Sequence, residues 1–274
     1  MRIFVVTLML FIGWLIWGNE SISVSEYTYT VSGDTSSLDG IKLVQLSDLH
    51  DKTFGRNHRR LIRVLEDINP DFILITGDLI DRNTNDFTSV MDLLDQLTEF
   101  APVYLVTGNH EAWNDERDTF FSQLEETDVV LLDNEIVTIE WEDTTLTFLG
   151  ASDPAFCTDL EESTCLDTWL SNAMDLVDGH TILLSHRPEL WDTYLTYGVD
   201  LVLSGHAHGG QVRIPFLGGV IAPDQGFWPR FSEGQIEHDG TIMIVSRGLG
   251  NSILPLRVNN RPEVVVVTYR SGEE

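Results

Sequence analysis

The sequence predicts an α/β fold with two central sheets flanked by helices. Short, mostly apolar runs at 41–46, 72–76 and 103–107 alternate with stretches of helical period at 61–68 and 90–97, which is the pattern of repeated βαβ units. After Asp128 the texture changes to paired runs at 136–141 and 146–149, joined by a polar turn at Glu142 and Asp143, as in a hairpin. Further runs at 182–184, 201–203, 242–245 and 264–268, with a helical segment at 188–197, supply enough strands for a second sheet.

The elements follow in order. Met1 and Arg2 precede an apolar run at 3–17, broken by Thr7 and Gly13 and ended by Gly18, Asn19 and Glu20. About 15 residues at a rise of about 1.5 Å reach about 22 Å, short of the roughly 30 Å hydrocarbon layer, so residues 1–18 are either a membrane anchor or a signal segment. A cleavage site would put Ile16 or Trp17 where a small side chain is required, whereas Trp14 and Trp17 suit a membrane interface, and an uncleaved anchor is expected. One basic residue precedes the run and acidic ones follow it, which places the catalytic part outside the cytoplasm. Residues 19–40 read as a connector and an edge strand, with Tyr27, Tyr29 and Val31 alternating. Residues 41–274 read as one globular domain, the size that the 274-residue length allows.

The formal charge of -28 repels polyanions, so nucleic acid is not an expected partner. The sequence does not address oligomeric state, and a monomer is assumed. Cys157 and Cys165 lie in an acidic segment that reads as a loop; a short disulfide and two free thiols both stay open, and the pair lacks the further ligands of a structural zinc site.

The chemistry gathers where strands end. The first three runs close on Asp48 and His50, on Asp78 and Asp81, and on Asn109, His110 and Glu111; two later runs close on His186 and on Gly205-His206-Ala207-His208. Loops at the carboxyl ends of parallel strands can aim side chains at one point. Five of the eight histidines fall in these clusters, and His58, His180 and His238 do not. Carboxylates with imidazoles and an asparagine oxygen suit divalent manganese, iron or zinc.

In this order the blocks resemble the calcineurin-like metallophosphoesterase family over residues 41–268. The apolar N-terminus, His186-Arg187-Pro188-Glu189 and the block from Gly205 to Gln211 are most similar to its bacterial membrane-anchored phosphodiesterase branch. The resemblance implies the four-layer α/β/β/α sandwich of metallo-dependent phosphatases, with two central mixed sheets. It implies two divalent ions, one held by Asp48, His50, Asp78 and His208, the other by Asp78, Asn109, His186 and His206. Asp78 would bridge them, and a hydroxide between them would attack phosphorus. His110 would stabilise phosphoryl oxygens or protonate the departing alkoxide, and Glu111 would orient His110. Asp81 is either a holder of a ligand histidine or a surface turn residue.

By position, Arg82, Arg187 and Arg247 are either phosphate clamps or structural ion pairs. The stretch 215–231, rich in aromatic residues and glycine, either lines a lipid-facing groove or packs as a loop. The expected function is hydrolysis of a phosphodiester, phosphomonoester or pyrophosphate bond in a membrane or cell-envelope substrate, lipid-linked ones first. The alternatives are a nucleotidase or cyclic-nucleotide phosphodiesterase, and a catalytically silent scaffold.

Overall fold

The computed structural model describes residues 2–31, 33–157, 162–177, 179–251 and 255–272. It begins with an apolar helix, α1 (Arg2–Glu20), whose side chains are mostly exposed. There follow β1 (Ser23–Val31), β2 (Lys42–Leu46), α2 (Arg59–Ile68), β3 (Phe72–Thr76), α3 (Thr88–Thr98), β4 (Val103–Val106), α4 (Asn109–Trp113), α5 (Arg117–Leu124) and β5 (Val130–Leu131). The second half holds β6 (Glu135–Trp141), β7 (Thr144–Gly150), α6 (Glu162–Met174), β8 (His180–Leu184), α7 (Trp191–Tyr197) and β9 (Leu201–Ser204). Two small hairpins come next, β10 (Arg213–Ile214) with β11 (Gly218–Gly219) and β12 (Ile221–Ala222) with β13 (Gly226–Phe227). The chain closes with β14 (Gly234–His238), β15 (Thr241–Val245) and β16 (Glu263–Ser271).

Two six-stranded sheets result, in the orders β1-β16-β2-β3-β4-β5 and β14-β15-β9-β8-β7-β6. In the first, β2, β3, β4 and β5 run parallel, and β16 enters between β2 and the edge strand β1, antiparallel to β2 and parallel to β1. In the second, β7, β8, β9 and β15 run parallel, with antiparallel β6 and β14 at the edges. Both sheets are mixed, as the family resemblance implies.

The strands read as continuous apolar runs because both of their faces are covered. Val44 and Ile73 point outward with Leu61, Leu65, Leu94 and Phe120 of the helical layer, while Leu43 and Leu74 point inward against Phe148, Leu184 and Leu203 of the other sheet. On the far side Leu183, Val202 and Met243 pack under Leu166, Leu170, Trp191 and Tyr194. Period-2 alternation thus serves three apolar layers, giving an α/β/β/α sandwich. Truncating one of the fully buried leucines to alanine costs about 2–5 kcal/mol in such a core.

Local chemistry sets the boundaries of the helices. In α3 the apolar positions Val90, Leu93, Leu94 and Leu97 fall on one face. The helix α2 stops at Asn69, which adopts a left-handed conformation and donates its N–H to Leu65 O, and Pro70 cannot continue it. One expectation is corrected here and one open alternative is resolved. Cys165 lies on α6 rather than in a loop, because Leu166, Leu170 and Ala173 give that acidic segment a buried face. Cys157 and Cys165 are bridged, with Cα atoms 6.5 Å apart, and so small a loop contributes about 2 kcal/mol.

Candidate metal centre

Because β2, β3 and β4 are parallel, as are β8 and β9, five strand ends open on the same edge of the sandwich. The sheets are tied there by hydrogen bonds from Gln45 Nε2 to Ser204 O (2.9 Å) and from His186 Nδ1 to Thr76 O (2.7 Å). The loops leaving these strands turn sharply. Asp48, His50, Asp78, His206 and His208 all have φ between 45° and 63°, a region that non-glycine residues seldom adopt. Two glycines let the backbones close in. A Cβ on Gly108 would stand 2.6 Å from Asp78 N, and one on Gly205 would stand 2.5 Å from Asp48 Oδ2.

The result is a buried double cluster. Ligand atoms of Asp48, His50, Asp78 and His208 all lie within 4.8 Å of one another, and so do those of Asp78, His186 and His206. Asp78 belongs to both groups. Its Oδ2 is 3.6 Å from His50 Nε2 and 3.2 Å from His186 Nε2, while Asp48 Oδ1 is 3.4 Å from His208 Nε2. His50 Nε2 faces His208 Nε2 at 3.1 Å, and His206 Nδ1 faces His186 Nε2 at 3.1 Å.

Electrostatics divide the cluster. Burial pushes His50 down to about 4 and His208 well below the usual imidazole range, so both rings are neutral at pH 7. Burial acts the same way on His186, but the Asp78 carboxylate overcomes it and lifts His186 to about 10. Asp78 is correspondingly held well below the carboxylate range, with burial outweighed by the His186 charge.

The donor set fits a pair of divalent cations. Neutral His50 and His208 present lone pairs, a bound cation would take the place of the proton that the Asp78 carboxylate holds on His186, two carboxylates supply negative charge, and the buried Asn109 Oδ1 has no hydrogen-bond partner among the described residues. Such an orphaned carbonyl oxygen costs free energy unless a cation meets it. The rings are also oriented from behind. His186 donates Nδ1–H to Thr76 O, and His206 Nε2 lies 2.8 Å from Asp224 Oδ2, which leaves the opposite nitrogen of each ring free to bind.

His110 stacks edge-on against His50 at 4.5 Å between ring centres. Its Nδ1 accepts the Arg82 N–H (3.1 Å) and lies 3.4 Å from Asp81 Oδ2. Asp81 is therefore the carboxylate beside this ring, and it also caps its own turn by accepting from Asn83 N (3.1 Å). The role expected of Glu111 is corrected. Its two oxygens accept the backbone N–H groups of Asp78, Leu79, Ile80 and Gly108 at 2.7–3.2 Å, so it braces two loops instead of orienting His110. Burial and the Asp78 charge push Glu111 up to about 8, against the pull of those donors.

The arginines separate. Arg82 is exposed beside His110. Arg187 is buried and gives Nε and Nη2 to Asp153 (2.9 and 3.0 Å) and Nη1 to Asp224 (3.2 Å), and Arg247 pairs with Glu263 at 2.8 Å. Arg187 and Arg247 are ion pairs rather than phosphate clamps, since carboxylates already occupy their forks. Arg257 escaped the sequence reading; it is fully buried, donates to Gly250 O (2.8 Å) and lies 3.3 Å from His208 Nδ1. Asp224 escaped it too, in a Pro-Asp-Gln-Gly turn with no metal-like pattern.

Residues 41–210 match the calcineurin-like phosphoesterase family. The chain is 31% identical over 254 residues to YkuE, an uncharacterised metallophosphoesterase of Bacillus subtilis, across 91% of this chain and 86% of that one. It is 29% identical to the phosphodiesterase YaeI of Escherichia coli, over 72% of this chain and 70% of that one. In fold it is similar to TT1561 of Thermus thermophilus, with a TM-score of 0.51 at 14% identity over 77% of this chain and 90% of that one. With the family matched over most of the sandwich and the clusters of Asp and His at its edge, the chain belongs to the calcineurin-like phosphoesterases, phosphoester hydrolases that use two divalent metal ions.

Proposed function

We propose that the chain is a membrane-anchored phosphodiesterase in which Asp48, His50, Asp78 and His208 hold one divalent cation and Asp78, Asn109, His186 and His206 hold the other. The observation that carries the reading is the convergence of two buried ligand groups on one carboxylate, Asp78. When bound, such a pair supplies an acidified water and a clamp for charge on the phosphoryl oxygens.

The remaining work falls to the chain's own side chains. With Nδ1 of His110 accepting the Arg82 N–H, the ring carries its proton on Nε2, from which it can donate a hydrogen bond to a phosphoryl oxygen or to the departing oxygen. Arg82, exposed and joined to His110 through its backbone N–H, is the candidate to meet the non-reacting part of a phosphate. The helix α1, apolar and mostly exposed from Ile3 to Trp17 with Trp14 and Trp17 suited to a membrane interface, serves as an uncleaved anchor. The one basic residue before the run and the acidic ones after it favour a domain outside the cytoplasm.

The test uses metal-loaded, full-length protein and a water-soluble chromogenic phosphodiester. Asp78→Ala is expected to lower turnover by at least about 10³-fold and to leave below about one equivalent of metal, with an unchanged circular dichroism spectrum. Wild-type turnover by this variant would remove the two-metal reading.

A further inference from the structure

We infer that the face of the domain around the end of α1 rests on the bilayer, so that the site takes phosphoesters presented in the headgroup plane of a lipid. The inference rests on the proposed reading of α1 as an anchor and of the double cluster as a phosphoesterase site. It begins with the absence of slack. The helix ends at Glu20 and β1 begins at Ser23, leaving Ser21 and Ile22 between them.

That junction is also clamped. The Asn19 side chain donates to Arg257 O (2.9 Å) and accepts from Arg257 N (2.7 Å), while Arg261 donates to Ser21 O (3.0 Å) and lies 4.9 Å from the centre of the Trp17 ring. A domain fixed to its anchor in this way cannot swing clear of the membrane, and one face must stay at the surface. The same clamp leads to the site, because Arg257, whose backbone meets α1, has its guanidinium 3.3 Å from His208 Nδ1. One residue separates the end of the helix from the metal cluster.

The face so placed is apolar where water would be its only other neighbour. The hairpin β10–β11 is held to the clamp by Arg213 N donating to Val258 O (3.0 Å), and Phe216 at its tip is wholly exposed. Leu217 beside it and Phe227 and Trp228 on the next hairpin are exposed too, at 65%, 73% and 56%. Phe216 and Trp228 are held at φ of 69° and 59°, where glycine would be unstrained, so bulky aromatic groups stand at turns that do not favour them. The stretch that reads in sequence as a groove or a packed loop divides here. Phe231 is buried against Trp191, and the hairpin aromatics project outward.

These hairpins border the site as well. Asp224, on the turn between β12 and β13, reaches His206, and Gly210 beside His208 abuts Gly219 of β11. Charge follows the same polarity. Exposed Arg60 pairs with Glu20 at the end of α1, whereas Glu140, Glu142 and Asp143 mark the β6–β7 turn at the opposite end of the sandwich. An acidic domain thus meets an anionic surface through its basic and aromatic side.

The experiment places a fluorophore on Phe216→Cys or on Asp143→Cys in full-length protein, in vesicles of phosphatidylethanolamine and phosphatidylglycerol carrying a headgroup nitroxide. Strong quenching at 216 and none at 143 is expected; no quenching at 216, including a result where 216 crosslinks to a second copy instead, overturns the inference. In a second arm the double variant Phe216→Ser, Trp228→Ser is assayed on a phospholipid headgroup ester in vesicles and on a soluble diester. The rate on the lipid ester is expected to fall about tenfold with the soluble diester unchanged. Equal rates on the lipid ester for variant and wild type overturn the inference. Wild-type protein that cleaves the soluble diester but no lipid ester also overturns it while sparing the phosphoesterase reading, and wild-type protein that cleaves neither sinks that reading itself.

Discussion

The two sheets deliver their share of the site by opposite means. On the first, a carboxyl group organises the loops, as Glu111 collects four backbone N–H groups from the ends of β3 and β4 and so fixes Asp78 and Asn109. On the second, a cation does so, as Arg187 collects Asp153 and Asp224 and through Asp224 steadies His206. The first sheet therefore contributes mostly carboxylate and amide oxygens held by main chain, and the second contributes imidazoles, of which His206 and His208 are held by the side chains of Asp224 and Arg257. The difference teaches that the seam between them is charge-complementary where Asp78 faces His186, while Asp48 faces the neutral ring of His208.

Breaking the cationic organiser should have the larger effect. Arg187→Met leaves Asp153 as a buried, uncompensated charge, which typically costs about 3–5 kcal/mol. A urea midpoint unchanged from wild type would show that Arg187 is not the organiser of the second sheet. The first sheet should respond in activity more than in stability. Glu111→Gln keeps the shape but turns an amide N–H₂ toward backbone donors, and supports of this kind typically contribute 10–100-fold to metal affinity or turnover. Metal titration and turnover of the folded variant would check it, and wild-type values for both would reduce Glu111 to a spectator.

The sequence shows much of the first sheet's contribution and little of the second organiser, for a physical reason. Asp48, Asp78 and Asn109 each follow an apolar run directly, so strand periodicity alone brings them to one edge. The hairpin at 136–149 and the helices at 61–68 and 90–97 are legible for the same reason, since local pattern and final burial agree. The partnership of Arg187, Asp153 and Asp224 joins three separate loops, and no local period encodes it. Glu111 misleads because its neighbour in sequence, His110, is not its neighbour in hydrogen bonding. The placement of β16 between β1 and β2 is equally invisible, being set by what remains unpaired once the early strands have assembled.

Asp133 sharpens the contrast with the smallest effect. It stands just beyond β5 and, like Glu111, is a carboxylate serving main chain, here half-buried and accepting Thr107 N–H (2.9 Å) and Thr107 O–H (2.7 Å). Burial lifts it to about 6 from an ordinary value near 3.8, with the Thr107 hydrogen bonds pulling the other way. A carboxyl whose folded value exceeds its unfolded one holds its proton more tightly when folded, so its share of stability is full below about pH 4 and is lost as pH rises to about 6. Asp133→Asn keeps an acceptor for Thr107 N–H and has nothing to ionise, so the variant should be the more stable at pH 7, by about 1 kcal/mol. Urea midpoints from pH 4 to pH 7 should therefore diverge between the two proteins as pH rises. Parallel midpoints would mean that the Asp133 anion is stabilised by its donors as fully as water would stabilise it.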